Sequence, residues 1–571
     1  MPEPIFTAAR LAKLRQQRTA PLILELDLTD GIAESRPADP VSAVLARRRL
    51  VLADVLDGLR RAAADDRVKA LVVRVGGRPI GLAAVQELRR AVRVISDAGK
   101  LTVAWAETFG EFSAGNVTYY LATAFDTISL QPSGDLGLTG IAVERVYLRD
   151  ALDKIGAQFQ VAKRHEYKSA AEQVTETGFS EPAREETERL TASITEQLAG
   201  AIAERRKLSR ERVRELIDTG PFLAGAALEA GLVDTLGYRD EVYASVRRQA
   251  GEGAVLLYLS RYQRSRALTE RVRQLPSRGS GEGAVGLIYA TGPIRRGRSG
   301  RGPLAGGAMG SDTIAAAIRT AAADDSIAAI LLRVNSPGGS YVASDTIWRE
   351  VVRARAAGTP VVASMGDVAA SGGYYIAMAA DVIVAEPGTV TGSIGVLSGK
   401  AVLGEALGRF GVTTDKVTQG DHSAMFSQMR PFAPDEWTLV NDWLDHIYAD
   451  FTGKVAEGRG MSQERVHELA RGRVWTGADA LANGLVDELG GLEYAAGVAR
   501  RRAGLPATAP LRAYPRARPI DRIRPPASSD APGAAAASLL AESWGPAWRL
   551  AARLGLPAYG PLALPGSWTF E

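Results

Sequence analysis

Covalent chemistry in this chain has to come from oxygen and nitrogen, because the sequence holds no cysteine and only four histidines, His165, His422, His446 and His467. Disulfides, thiol catalysis and cysteine-ligated zinc are excluded. No histidine pair has metal-ligand spacing, so no metal or cofactor is expected. The best-placed oxygen is that of Ser371, in VVASMGDVAASGGYY from Val361 to Tyr375. The β-branched start reads as a buried strand and Tyr374 to Ala380 as a helix. Ser371 then stands where a strand hands over to a helix N-terminus, whose backbone N–H groups lack partners. Gly372 and Gly373 let a substrate backbone come close. A nucleophilic serine with an oxyanion site beside it suits this geometry. A tightly packed turn of small residues suits it as well.

A serine nucleophile needs a base. His422 is the histidine that could serve in a Ser-His-Asp arrangement. A lysine can do the same work if desolvation keeps it neutral. The candidate is Lys168, in Glu166-Tyr167-Lys168-Ser169-Ala170-Ala171-Glu172, just after an expected strand from Gln158 to Ala162. Read alone, this lysine fits a surface position better.

An internal duplication shifts the balance. AAADDRVKALVVRV at Ala62–Val75 returns as AAADDSIAAILLRV at Ala321–Val334. Tyr119-Tyr120, Asp126, Pro132, Gly137 and Gly140 match Tyr374-Tyr375, Asp381, Pro387, Gly392 and Gly395 at constant spacing, and Gly231-Leu232-Val233-Asp234 matches Gly484-Leu485-Val486-Asp487. A period this long means two copies of one domain, not a solenoid. Strands alternating with helices predict mostly parallel sheets. In this alignment Ser371 falls on Asn116, and Lys168 falls on Ser423, or on His422 with one gap. One copy keeps the lysine and lacks the serine; the other does the reverse. One composite site between two duplicated halves would leave that pattern. The expected organisation is a basic segment at 1–19, a first repeat at 20–250, a linker at 251–283, a second repeat at 284–507, and a Pro/Arg-rich linker with an amphipathic tail at 508–571.

With these residues together, the chain resembles the long, two-repeat form of the signal peptide peptidase A family, serine peptidases of ClpP/crotonase-like fold. The resemblance spans about residues 20–505. It rests on NSPGG at Asn335–Gly339, ASGGY at Ala370–Tyr374, TGSIG at Thr391–Gly395 and YKSA at Tyr167–Ala170. It implies an α/β fold of two tandem ClpP/crotonase-like repeats, Ser371 as nucleophile and Lys168 as general base. It also implies an oxyanion hole from Gly372, Gly338 and Gly339, with Ser393 and Ser169 as candidates to orient the lysine. The expected substrates are remnant signal peptides and other short hydrophobic peptides, and the expected assembly is a homotetramer. Two other readings compete: an acyl-CoA-type crotonase enzyme, which needs no Ser/Lys pair, and a non-catalytic assembly or binding protein of the same fold.

Charge and hydropathy bound the location. A net charge of +4 is too small to argue for nucleic acid. Residues 1–19 lack the apolar core of a secretory signal, and no apolar run reaches the length of a membrane span. Arg295 to Ser311 is rich in glycine and arginine and is expected to be mobile. Pro510 to Pro526 reads as an extended basic linker, and Ala534 to Leu556, with Trp544 and Trp548, as a broken amphipathic helix pair. That tail could pack on the protein or on a neighbouring subunit, or touch a membrane surface. The expected location is peripheral to a membrane or cytoplasmic.

Overall fold

The computed structural model describes residues 20–35, 50–264, 283–302, 306–515 and 561–563. The duplication shows as two sheets with one strand order. In the first sheet, Thr235–Leu236, Thr127–Leu130, Leu101–Ala106, Val68–Arg74, Leu22–Asp27 and Val255–Tyr258 lie side by side, all parallel. In the second, Glu488–Leu489, Val382–Ala385, Val361–Ala370, Ile327–Ser336, Ala284–Thr291 and Leu511–Tyr514 repeat the order, again parallel. Strands such as LILELD are apolar at nearly every position, as they must be when both faces of a sheet are covered. Leu22, Ile23, Leu24, Leu71, Val72 and Val73 are accordingly buried.

Leu256 to Leu275 reads in the sequence as a strand followed by a basic helix, and Val255–Tyr258 is indeed an edge strand, beside Leu22–Asp27. Two other stretches differ from their reading. Leu511–Tyr514, expected to open an extended basic linker, occupies the same place beside Ala284–Thr291. An edge strand needs few residues and pairs on one side only, so the surrounding prolines and arginines hid it. The glycine-rich stretch expected to be mobile carries backbone pairing: Gly306–Gly310 runs beside Ile294–Arg295, and Gly300–Gly302 folds back on it. The joint at 278–282 and the tail at 516–560, with Trp544 and Trp548, lie outside the described residues.

The two repeats interlock. Gln158–Lys163 of the first pairs antiparallel with Leu397–Val402 of the second. The helix Glu181–Arg206 is started by Ser180, whose hydroxyl caps Ala183 N–H, with Pro182 in its first turn. It lies against the second repeat: Ser193 Oγ meets Thr476 Oγ1 at 3.0 Å, and Gln197 Nε2 donates to the Pro387 carbonyl at 3.2 Å. Deeper in, the fully buried Arg333 of the second repeat donates to Glu34 and Glu87 of the first, both at 2.6 Å. Glu87 also accepts from Leu492 N–H at 2.7 Å. Removing one member of such a buried set costs about 3–5 kcal/mol, because its partner is left uncompensated. These contacts hold the two halves in the register that the site requires.

Candidate active site

Ser371 ends the longest difference between the sheets. The strand Val361–Ala370 has 10 residues, where its counterpart Leu101–Ala106 has 6. The extra length carries the chain to Val390–Gly392, with which it also pairs. Ser371 then opens the helix Gly372–Ala377 at φ 55° and ψ −115°. A non-glycine residue held at positive φ costs about 1–3 kcal/mol and persists only where neighbours fix it. Here the Ser371 N–H donates to Gly392 O at 2.8 Å, and Tyr375 N–H donates to Ser371 O at 2.9 Å.

Lys168 arrives from the other repeat, beyond the cross-repeat strand Gln158–Lys163. Its Nζ lies 2.9 Å from Ser371 Oγ, 3.0 Å from Ser393 Oγ and 3.1 Å from Ser393 O. Both Lys168 and Ser371 are fully buried. Burial pulls the lysine from 10.5 down to about 7, and the nearby Glu186 carboxylate opposes that shift. As an ammonium Lys168 donates to all three oxygens; once neutral, it has a lone pair with which to accept from the Ser371 hydroxyl. Between about pH 7 and 10.5 the unfolded chain binds a proton at Lys168 that the folded protein does not. This group therefore makes stability rise with pH across that window, by about 1.4 kcal/mol per unit.

The two serines proposed from the sequence separate here. Ser393, itself at φ 51°, touches the amine. Ser169 is buried, and its hydroxyl has no hydrogen-bond partner among the described residues. His422 is half exposed on a surface loop, with its ring 3.7 Å from Asp435.

The glycines line the other side of Ser371. Gly338–Gly339 forms a short strand beside Ile294. A Cβ on Gly372 would come within 3.1 Å of both Gly338 Cα and Gly339 N. Gly338 N–H donates to Ser336 Oγ at 3.2 Å, which leaves Gly339 N–H and Gly372 N–H as the better-placed pair for an incoming oxygen.

Two contributors escaped the sequence. Glu186 is fully buried, accepts from Val474 N–H, and is pushed up to about 8 by burial. Its Oε2 has no partner among the described residues. It sits in EETERL, which reads as a solvated helix face, and nothing local marks it. Gly472, at φ 89°, lets the lysine pass: a Cβ there would press on Lys168 N, Cα and Cβ at 2.5–2.7 Å. A glycine at that point in ARGRV carries no sequence signal of its own.

Comparison with known proteins places this arrangement in a family of serine hydrolases. The chain belongs to peptidase family S49, which it matches over residues 95–252 and 353–506, one segment in each repeat. It is 32% identical to "Serine protease SPPA, chloroplastic" of Arabidopsis thaliana over 80% of this chain and 66% of that one. It is 32% identical to "Protease 4" of Salmonella typhi and 30% identical to "Protease 4" of Haemophilus influenzae, covering 72% of each and 80% and 78% of this chain.

Proposed function

We propose that this protein is a serine endopeptidase whose catalytic pair is split between its repeats, Ser371 attacking and Lys168 serving as base. The observation that carries the reading is the 2.9 Å approach of Lys168 Nζ to Ser371 Oγ in a site without solvent exposure. Neutral Lys168 takes the hydroxyl proton as Oγ attacks the peptide carbonyl. The developing oxyanion is held by backbone N–H groups of Gly372 and the Gly338–Gly339 strand; one such donor is worth about 3–4 kcal/mol. Lys168 then gives its proton to the leaving amine, and water, activated by the same amine, releases the acyl group. Ser393 orients the amine.

The substrates in this reading are short apolar peptides, signal-peptide remnants among them, bound in extended form. The test is hydrolysis of an internally quenched leucine-rich peptide by the wild-type protein and by Ser371→Ala and Lys168→Ala. Turnover surviving in either variant would remove the pair from the mechanism.

The assembly in this reading is a homotetramer. Phe410, Val417, Phe426 and Trp443 are exposed on one stretch of the second repeat, an apolar surface that a subunit contact would cover. Sedimentation at micromolar concentration distinguishes tetramer from monomer. No helix among the described residues is long and apolar enough to cross a membrane. Attachment would come from the arginine-rich tail after Tyr514, with each arginine near an anionic leaflet gaining about 1 kcal/mol. Loss of binding to anionic vesicles on truncation after Pro515 would support that role.

A further inference from the structure

The first repeat has an open cleft where the second has its serine. The walls come mainly from residues 75–80 and 113–121. At the spacing of the duplication these correspond to 334–339 and 368–376, the two stretches that surround Ser371. Leu28, Val75, Val85, Val117 and Leu121 are buried and give the cavity, of about 230 Å³, a fixed apolar lining. It holds no nucleophile: Asn116, in the place of Ser371, engages its side chain with Thr139 and Gly140. Two observations mark the cleft as a receptor. Phe112, adjoining Ser113 of the lining, is fully exposed and held at φ 49°. That backbone is unfavourable for a bulky residue, and strain of this kind collects where ligands are gripped. The other observation is what fills the same place in the second repeat. There Leu562 and Ala563, extended, pair with Gly339 and Gly338, and Leu562 has no exposed surface. The first-repeat cavity is below the size of a drug-like pocket and suits a single aliphatic side chain. Pro79 stands where Gly338 does and offers no N–H, so a peptide here is held by that side chain rather than as an added strand. The cleft also abuts the catalytic strand. Ile80 of its wall is followed by Gly81, where a Cβ would collide with the Asp367 carboxylate. Asp367 Oδ1 accepts from Ala84 N–H at 3.1 Å. Along the strand Val361–Ala370, Asp367 precedes Ser371 by roughly 13 Å at the rise of an extended chain.

We infer that the first-repeat cleft is a second, non-catalytic peptide site, which seats an aliphatic side chain of the same extended peptide whose scissile bond lies at Ser371. The inference rests on the peptidase reading of Ser371 and deepens it. A peptide long enough to reach both clefts is held twice, and the second contact raises affinity without touching the chemistry. The protein therefore favours apolar peptides that span both clefts over shorter ones of the same composition. The repeat that lost its nucleophile keeps a use for the cleft around it.

The experiment uses the full chain carrying Ser371→Ala, so that nothing is cut. Because the protein has no cysteine, Ser113→Cys in that background carries a single environment-sensitive dye at the rim of the first cleft. The ligand is a leucine–serine peptide of about 12 residues, able to span roughly 40 Å when extended, compared with one of half that length. The longer peptide should shift the dye's emission to the blue, and the shift should saturate. No shift would overturn the inference. So would emission that is already blue and unchanged by peptide, because another part of the chain or a second copy then fills the place. Without the dye, Ala114→Trp plugs the cavity from an exposed position. It should weaken binding of the fluorescein-labelled longer peptide about tenfold and leave the shorter one unchanged. Phe112→Ser should act in the same direction. Unchanged affinity for the longer peptide, or equal loss for both lengths, would also overturn it. Failure of the wild-type protein to hydrolyse either peptide would instead sink the peptidase reading, and the dye and binding results would stand by themselves.

Discussion

The two repeats share a scaffold and differ at the residues proposed to carry the chemistry. Tyr119 Oη donates to Leu232 O at 2.7 Å, and Tyr374 Oη donates to Leu485 O at 2.9 Å. Asp234 accepts from Ile128 N–H and Asp487 from Ile383 N–H, each at 2.7 Å. The junction between strand and helix is where they part. In the first repeat Asn116 spends its side chain on the next glycine turn: Oδ1 accepts from Thr139 and Gly140 N–H, and Nδ2 donates to Gly140 O. In the second repeat Ser371 keeps its hydroxyl for Lys168, and the matching turn supplies Ser393 to the same amine. The clefts differ as well. The first repeat holds a pocket of about 230 Å³ lined by Gly76, Gly77, Ser113, Ala114 and Gly115, whereas the second holds the Pro561–Ala563 strand. One copy has turned its junction into a brace, and the other has left it reactive.

The strongest way to break this comparison is to remove the split pair. Ser371→Ala and Lys168→Ala should each lower kcat by about a thousandfold or more, measured by peptide hydrolysis. The double variant should be little worse, because the two residues act as a unit. Ser393→Ala should lower kcat by roughly 10–100-fold with KM nearly unchanged, since a misplaced base costs turnover more than binding. Rescue by Ser393→Thr would separate hydrogen bonding from packing.

The pH profile sharpens the contrast between the buried amine and an ordinary lysine. Log kcat/KM should climb with unit slope up to about pH 7, where Lys168 loses its proton, and level off above. Glu186 is itself pushed up to about 8 and so is largely uncharged where Lys168 titrates, and Glu186→Gln should leave that bend in place. A bend moved toward acid would show that the carboxylate is charged beside the amine. In the first repeat, Asn116→Ala should leave kcat unchanged but lower stability by about 1–3 kcal/mol, read from the denaturant midpoint, because two backbone donors lose their acceptor. The smallest effect belongs to His422→Ala, for which no change in kcat is expected. A large loss there would restore a serine–histidine arrangement.

Much of this was legible before any coordinates. The duplication, the strand ending at Ser371, and the exchange of serine for asparagine and lysine for serine or histidine all lie in residue identities at fixed spacing. Those spacings are set by the sheet that both copies must build. What escaped depends on contacts between halves. Glu186 matters only because Val474 and Lys168 of different repeats close over it, and Gly472 only because a lysine stem crosses its Cα. The edge strand Leu511–Tyr514 is short and one-sided, so its local composition says little. Ser169 shows the converse: it neighbours the lysine in sequence yet does not meet the amine, because direction from the backbone decides contact, not proximity along the chain.

Splitting the pair across 203 positions also has a bearing on how the protein is made. At a synthesis rate of about 5–20 residues per second, the base leaves the ribosome about 10–40 s before the nucleophile does. During that interval the nascent chain carries no competent hydrolase, however well its first half has folded. On the proposed mechanism, activity begins only when Gln158–Lys163 finds Leu397–Val402 and the amine is sealed from water. A peptidase working that way would be harmless to its own unfinished chain and to the translation machinery beside it, and would switch on in the same event that completes its tertiary structure.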